Sequence, residues 1–109
     1  MVGLGIVVRV EPLKRHEFLQ SFEMLTSSER RDSACLKQNL FEDVDEPNRF
    51  LWIENWTSSE ALESYLNTDR FLTIKGAIEV LGTMEDMRIS DIKSFPGFEP
   101  FSKIKTTQS

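Results

Sequence analysis

The chain has 109 residues, which is enough for one hydrophobic core and too few for two. Hydrophobic residues make up 39% and charged residues 28%, as in an ordinary folded domain. The net charge of -5, without a cluster of Lys and Arg along one face, disfavours nucleic acid and anionic membranes as partners. The single cysteine excludes an internal disulfide, and the apolar run near the start is too short to span a membrane. We therefore expect a soluble, cytoplasmic protein.

The first half of the chain predicts a strand, a helix and a second strand. Residues 2–10 are rich in β-branched side chains, with apolar residues alternating on one face. Pro12 suits the first turn of a helix. The second strand covers residues 35–41, beginning at Cys35, and leads into an acidic turn. The helix carries an apolar stripe at helical spacing: Phe18, Leu19, Phe22 and Leu25.

The second half predicts another strand, two helical pieces and a last strand. Residues 49–56 form an extended aromatic run that pairs with the preceding strand as a hairpin. Thr57 and Glu60 have the T-x-x-E spacing of a capping box, which predicts a helix start at this point. The stretch Asn-Thr-Asp breaks the helix, a second piece ends near Gly82, and the last strand covers roughly residues 86–93.

The element order is β-α-β-β-α-β, which predicts a ferredoxin-like α+β sandwich with a four-stranded antiparallel sheet. The domain covers residues 2–93, and residues 94–109 form an irregular tail whose three phenylalanines predict docking through Phe101 before the end becomes disordered. Helices on one face leave the other sheet face open. Because both faces carry bulky side chains, we expect a homodimer through the open sheet face.

The third strand and the helix after it resemble the antibiotic biosynthesis monooxygenase domain of the dimeric α/β-barrel superfamily. The resemblance lies in the E-x-W end of the strand (Glu54 and Trp56), the "SEAL" start of the helix at residues 59–62, and Phe71 after the helix break. The "CLKQNLFED" strand and the "DEPNRF" turn are also similar. The resemblance covers about residues 2–93 and implies the dimeric barrel fold and monooxygenase chemistry without a cofactor.

Three positions depart from the pattern of that family. Tyr65 and Arg70 stand where many members have histidine, and Lys75 stands about where the heme-degrading branch has its iron ligand. Heme degradation by the usual route of the family is therefore disfavoured. The only histidine, His16, lies on the polar side of the first helix and is expected to face solvent. No spacing of metal ligands is present in the sequence, and we expect no metal.

Trp52, Glu54 and Trp56 alternate and therefore share one face of the third strand. Both tryptophans are interpreted first as residues that hold the sheet and its dimer together. Trp52 is also a candidate substrate-binding residue, and Trp56 a candidate catalytic residue whose indole N–H could orient a substrate oxygen. Glu54, a carboxylate among aromatics, is either paired with a lysine or arginine or acts as a general base.

Asn55 is the third candidate catalytic residue and lies on the opposite face, with Leu51 and Ile53. An amide there could anchor a polar substrate group or satisfy backbone, and the sequence leaves open which face lines a pocket. Tyr65 and Arg70 are candidate substrate-binding residues. Tyr65 either packs with its hydroxyl at the rim or donates to a substrate oxygen, and Arg70 either is solvated or stabilises an anionic substrate.

These features favour a cofactor-independent monooxygenase of small electron-rich aromatics of the hydroquinone or anthrone type. Such substrates can reduce oxygen themselves once deprotonated, so a dry pocket and a few orienting polar groups suffice. The alternative is a non-catalytic, dimeric small-molecule-binding or stress-associated protein of the same fold. A pure oligomerisation module is a third class, which predicts no cavity between the helices and the sheet.

Overall fold

The computed structural model describes residues 1–27 and 32–91. The elements follow the predicted β-α-β-β-α-β order, with the second helical region in two pieces. A short 3-10 turn, Pro12–Lys14, precedes the first helix. The elements are β1 (Val2–Val10), α1 (Arg15–Leu25), β2 (Cys35–Glu42), β3 (Arg49–Trp56), α2 (Ser59–Leu66), α3 (Asp69–Leu81) and β4 (Gly82–Asp91).

The four strands form one antiparallel sheet in the order β2-β3-β1-β4, so the two central strands are the most apolar ones. Residues directly opposite in the register point to the same face. The face with Leu4, Ile6 and Val8 of β1 packs against α1, α2 and α3 to form the core. This arrangement confirms the ferredoxin-like α+β fold and the predicted helix cover on one face only.

The helices cover the tryptophan face of β3, an assignment that the sequence alone could not make. Trp52 and Trp56 are each 1% exposed and belong to the core. The interpretation that they also hold a dimer together through the open face is therefore wrong. The opposite face carries Leu51, Ile53 and Asn55 of β3, and none of the described helices packs on it.

The start of α2 differs from the predicted capping box by one residue. Ser58, rather than Thr57, is the N-cap, and its hydroxyl accepts a hydrogen bond from the backbone N–H of Ala61 at 3.1 Å. Both residues are good N-caps by type, so sequence spacing alone could not choose between them. Thr57 instead donates its backbone N–H to the carbonyl of Ala34, which joins it to the start of β2.

Gly82 ends α3 and begins β4, four residues earlier than the predicted start of the last strand. Its φ of -175° is ordinary extended backbone, so conformational freedom does not explain the glycine. A Cβ atom at this position would lie 2.1 Å from the carbonyl oxygen of Arg9 and 2.9 Å from the Cα of Val10. A side chain is excluded because β1 and β4 approach so closely here. The predicted docking of the tail through Phe101 lies outside the described residues.

Candidate functional site

A buried carboxylate forms the centre of the polar groups on the helix-covered face. Glu54 is 1% exposed, and four side chains donate hydrogen bonds to it. Its Oε2 accepts from Gln38 Nε2 at 2.8 Å and from Trp52 Nε1 at 3.0 Å. Its Oε1 accepts from Trp56 Nε1 at 3.1 Å, and the Tyr65 hydroxyl makes a long contact to Oε2 at 3.5 Å. We call these five residues the Glu54 cluster.

The local sequence of β3 builds most of this cluster. Alternate residues of a strand lie on one face, so Trp52 and Trp56 flank Glu54 on both sides along the strand. Each indole has one N–H donor and no acceptor, and each turns that donor toward the carboxylate. The expected ion pair of Glu54 with an arginine or lysine is wrong, since the ion pairs among the described residues do not include Glu54. Neutral donors offset the cost of burying it.

Gln38 is the member that sequence reasoning missed. It lies on β2 directly opposite Glu54 in the hairpin register. The sequence contains a signal for this pairing. In a hairpin, residues at equal distances from the turn lie opposite each other, so the partner of Glu54 follows once the length of the acidic turn is known. The Nε2 of Gln38 is bound to Glu54, whereas its Oε1 is buried and has no hydrogen-bond partner.

Tyr65 reaches the cluster from the last turn of α2. Its ring lies between Trp56 and Phe71, with centroid distances of 4.5 and 5.5 Å. Tyr65 is 4% exposed, so the prediction that its hydroxyl lies at a solvent rim is wrong. Burial, and secondly the charge of Glu54, raise the pKa of Tyr65 well above its ordinary value of 10.0. The raised pKa keeps the phenol protonated below its ordinary value of 10.0, so that it acts as a neutral donor in that range.

The junction between α2 and α3 fixes Tyr65 in place. Thr68 caps α3 by accepting from the backbone N–H of Phe71 at 3.2 Å, and its hydroxyl donates to the carbonyl of Tyr65 at 2.6 Å. Arg70, in the first turn of α3, is half-buried, and its Nη2 donates to the carbonyl of Leu25 at the end of α1 at 3.3 Å. Its positive charge opposes the rise in the pKa of Tyr65. Arg70 is the one arginine in the described part of the chain without an ion pair to a described carboxylate.

The structure thus brings together four of the six predicted site residues, with Arg70 as a charged neighbour of Tyr65. Asn55 is not among them, because it lies on the open face as the alternation predicted. It is 6% exposed, and its Oδ1 is buried without a hydrogen-bond partner. The four that meet are Trp52, Glu54, Trp56 and Tyr65.

The two sheet faces differ in the space they offer. Between α1, α3 and Trp52 there is a cavity of about 10 Å³, too small to accept an aromatic ligand. An aromatic ligand between these two helices and Trp52 would require the helices to move away from the sheet. A cavity of about 380 Å³ lies on the open face beside the β2–β3 turn. Apolar side chains line it, among them Val7, Phe41 and Leu51, together with the charged side chains of Glu42, Asp43, Asp45 and Arg49.

The other residues singled out in the sequence lie apart from this cluster or are buried beside it. His16 and Lys75 are exposed, as expected for a solvent-facing histidine and a position without an iron ligand. Cys35 is buried, and its thiol contacts the carbonyl of Lys37 at 3.6 Å. In residues 1–27 and 32–91, no group of three or more His, Cys, Asp and Glu is placed to hold a metal ion. No helix in these ranges is long and apolar enough to cross a membrane.

The fold and the E-x-W strand are those of a known family. Residues 1–77 match the model of the antibiotic biosynthesis monooxygenase family, and the chain belongs to that family. YcnE, a candidate monooxygenase of Bacillus subtilis (strain 168), is 32% identical over 71 residues, which are 65% of this chain and 75% of YcnE.

Solved structures of similar fold come from distant organisms. SnoaB, a cofactor-independent oxygenase from Streptomyces nogalater, superposes with a TM-score of 0.73 at 21% identity, over 84% of this chain and 92% of SnoaB. A conserved protein from Methanosarcina mazei Go1 gives 0.72 at 18% identity, over 82% and 89% of the two chains. At these identities the likeness establishes the fold.

Proposed function

We propose that the protein is a cofactor-independent monooxygenase of small electron-rich aromatics of the anthrone or hydroquinone type. The observation that carries this proposal is the buried carboxylate of Glu54, held by four donors beside aromatic rings on the helix-covered face. Membership of the family and the oxygenase chemistry of SnoaB support the reaction type. The chemistry resides in the substrate, and the protein supplies a proton acceptor and a dry environment.

The reaction can be written for an anthrone without any further reagent. Loss of a proton from the ring CH2 group gives a carbanion that is delocalised onto the carbonyl oxygen. This anion passes electrons to O2, one oxygen atom enters the substrate as a carbonyl, and the other leaves as water with the two hydrogens of the CH2 group. The oxidation of CH2 to C=O releases four electrons, and O2 accepts all four.

Glu54 is the proposed proton acceptor. Within the Glu54 cluster, its Oε1 accepts a hydrogen bond from Trp56 Nε1 alone, and a carboxylate oxygen has room for two donors. Trp52 and Trp56 turn their N–H groups to Glu54, so they position the base and contribute their ring faces to an aromatic ligand. Arg70 is the proposed charge complement of the substrate anion, because its guanidinium lies near Tyr65 without a described carboxylate partner.

Oxygen uptake with an anthrone and a hydroquinone tests this assignment. In the metal-free protein, we expect uptake above the uncatalysed rate, and Glu54→Gln should lower kcat by about a hundredfold. Arg70→Gln should raise KM and lower kcat/KM. Glu85→Gln, the same change on the open face, should leave the rate unchanged. A Glu54→Gln protein that is folded and fully active would contradict the role of Glu54.

A second candidate function is binding of a small aromatic molecule without turnover. The observation that favours it is that Glu54 already accepts hydrogen bonds from four donors, which makes its carboxylate a weaker proton acceptor. This function predicts saturable ligand binding with no oxygen uptake beyond the blank.

We also propose that two copies associate through the open sheet face. Phe41 is 48% exposed there, and Val7 and Leu51 line the large cavity with it. A second copy packed on this face would cover apolar area that a single copy leaves to solvent. Sedimentation equilibrium tests the association, and a monomer at micromolar concentration would contradict it.

A further inference from the structure

Two buried side-chain polar atoms in the described part of the chain lack a hydrogen-bond partner: Gln38 Oε1 and Asn55 Oδ1. Buried polar groups are nearly always paired, so each requires an explanation. Gln38 belongs to the Glu54 cluster. The nitrogen of its amide binds the carboxylate, and the oxygen of the same amide is the atom without a partner.

The orientation of the Gln38 amide is fixed by its neighbour. Its Nε2 donates to Glu54 Oε2 at 2.8 Å. Turning the amide over would place its carbonyl oxygen against the carboxylate, two acceptors facing each other. The unpartnered atom of this side chain is therefore the oxygen, an acceptor, because the amide cannot turn over.

Most donors of the cluster are directed to Glu54: both indole N–H groups, one of the two N–H groups of the Gln38 amide, and the Tyr65 hydroxyl. The buried side-chain atom of the cluster that has no partner is an acceptor, Gln38 Oε1. A ligand group that brings a donor would satisfy this oxygen, whereas a group without a donor would leave it buried and unpaired.

We infer that Gln38 is a specificity-determining residue that, together with Glu54, selects aromatic ligands carrying a free hydroxyl donor. The inference rests on the proposed function, since it places the ligand on the same face of the sheet. It narrows the substrate class to neutral phenolic compounds that enter with the hydroxyl protonated. The matching methyl ether, which has the same ring and no donor, is rejected because it leaves the Gln38 oxygen buried and unpaired.

Binding of a matched pair of ligands under anaerobic conditions tests this selection without turnover. We choose 1-naphthol and 1-methoxynaphthalene, titrated into the full chain by calorimetry. The wild type should bind the naphthol at least about tenfold more tightly than its ether, as expected for one buried acceptor gaining or lacking a partner. Gln38→Met, which keeps the length of the side chain, should bring the ratio of the two Kd values to about one by weakening the naphthol alone.

Asn39→Leu is the matched control, because Asn39 is the next residue of β2, half-buried, and faces the open side opposite Ile53. It should preserve the wild-type ratio. A purely structural role for Gln38 would lower the melting temperature and leave the ratio unchanged, which would overturn the inference. Should Gln38→Met fail to fold, the wild-type ratio still decides, and a ratio near one refutes the donor preference.

The two proposals fail in different ways. Oxygen uptake from an anthrone together with a ratio near one would leave the monooxygenase function standing and remove the role of Gln38. A ratio of ten or more without oxygen uptake would support the selection and refute turnover. If neither naphthalene binds, the placement of an aromatic ligand at the Glu54 cluster is wrong, and the inference falls with it.

Discussion

Two neighbouring residues of β3 show that buried polar groups on the two faces of one sheet differ in their hydrogen bonding. Glu54, on the helix-covered face, is 1% exposed and receives four hydrogen bonds. Asn55, on the open face, is 6% exposed, and its Oδ1 receives none. The helix-covered face satisfies its buried carboxylate with four donors inside the core, whereas the open face leaves the buried amide oxygen of Asn55 without one. The difference shows that burial by itself does not say whether a polar group is satisfied.

The two faces also differ in how they use charged groups. On the open face, Glu85 accepts hydrogen bonds from Arg9 at 2.7 Å and from Arg49 at 2.9 Å, both partly exposed. Arg49 also pairs with Asp43 in the turn before β3. Such exposed pairs contribute little each, because water screens them. The helix-covered face uses neutral donors instead, which avoids the desolvation cost of a second buried charge.

The largest expected effect separates these two neighbours directly. Glu54→Gln replaces an acceptor oxygen with an NH2 group that faces buried indole donors, so we expect a loss of about 3 kcal/mol in the free energy of unfolding. Asn55→Leu, of nearly the same shape, removes an unpaired acceptor and should change that energy by less than about 1 kcal/mol. Urea denaturation of both variants measures the difference. An equal loss in both would mean that Asn55 Oδ1 is paired in solution, as a second copy on the open face could provide.

The next effect concerns the only tyrosine of the chain, which makes its ionisation easy to assign. The raised pKa of Tyr65 means that the unfolded chain releases its proton first as the pH rises. Its contribution to stability is therefore complete below pH 10 and declines above it. Absorbance at 295 nm should show no tyrosinate at pH 10 to 11 until the protein unfolds, and then a single cooperative step. A gradual titration centred at pH 10 in the folded protein would contradict the burial of the hydroxyl.

The smallest effect belongs to the open face. Hydrogen bonds from Arg9 and Arg49 hold the pKa of Glu85 below its ordinary value of 4.5. A lowered pKa in the folded state gives stability that is present above about pH 4.5 and is lost as the pH falls through the folded pKa. The melting temperature of the wild type should exceed that of Glu85→Gln by a small, constant amount above pH 5.5, and the two should converge as the pH falls below 4.5. A difference that persists at pH 3 would mean that packing, not charge, sets the effect.

Much of the fold follows from periodicity in the sequence. The bounds of β1 and β3 were predicted to the residue, and the break between α2 and α3 falls at the polar stretch before Asp69. Boundaries were less accurate where two residues of similar chemistry compete, as at Thr57 and Ser58. The start of β4 was predicted too late. Gly82 begins this strand because the carbonyl of Arg9, in another strand, leaves no room for a side chain, and this contact cannot be read from the local sequence.

The sequence by itself determined that Trp52, Glu54 and Trp56 share a face and that Asn55 does not, because the two-residue period of a strand is a local property. Only the tertiary structure decided which face the helices cover, that Gln38 lies opposite Glu54, and that Tyr65 turns inward. Those outcomes depend on strand register and on helix packing, which join residues distant in the chain. For the same reason the sequence could not show that the partners of Glu54 are neutral donors. Those partners are set by which residues lie beside Glu54 in the folded chain and not by residue type alone.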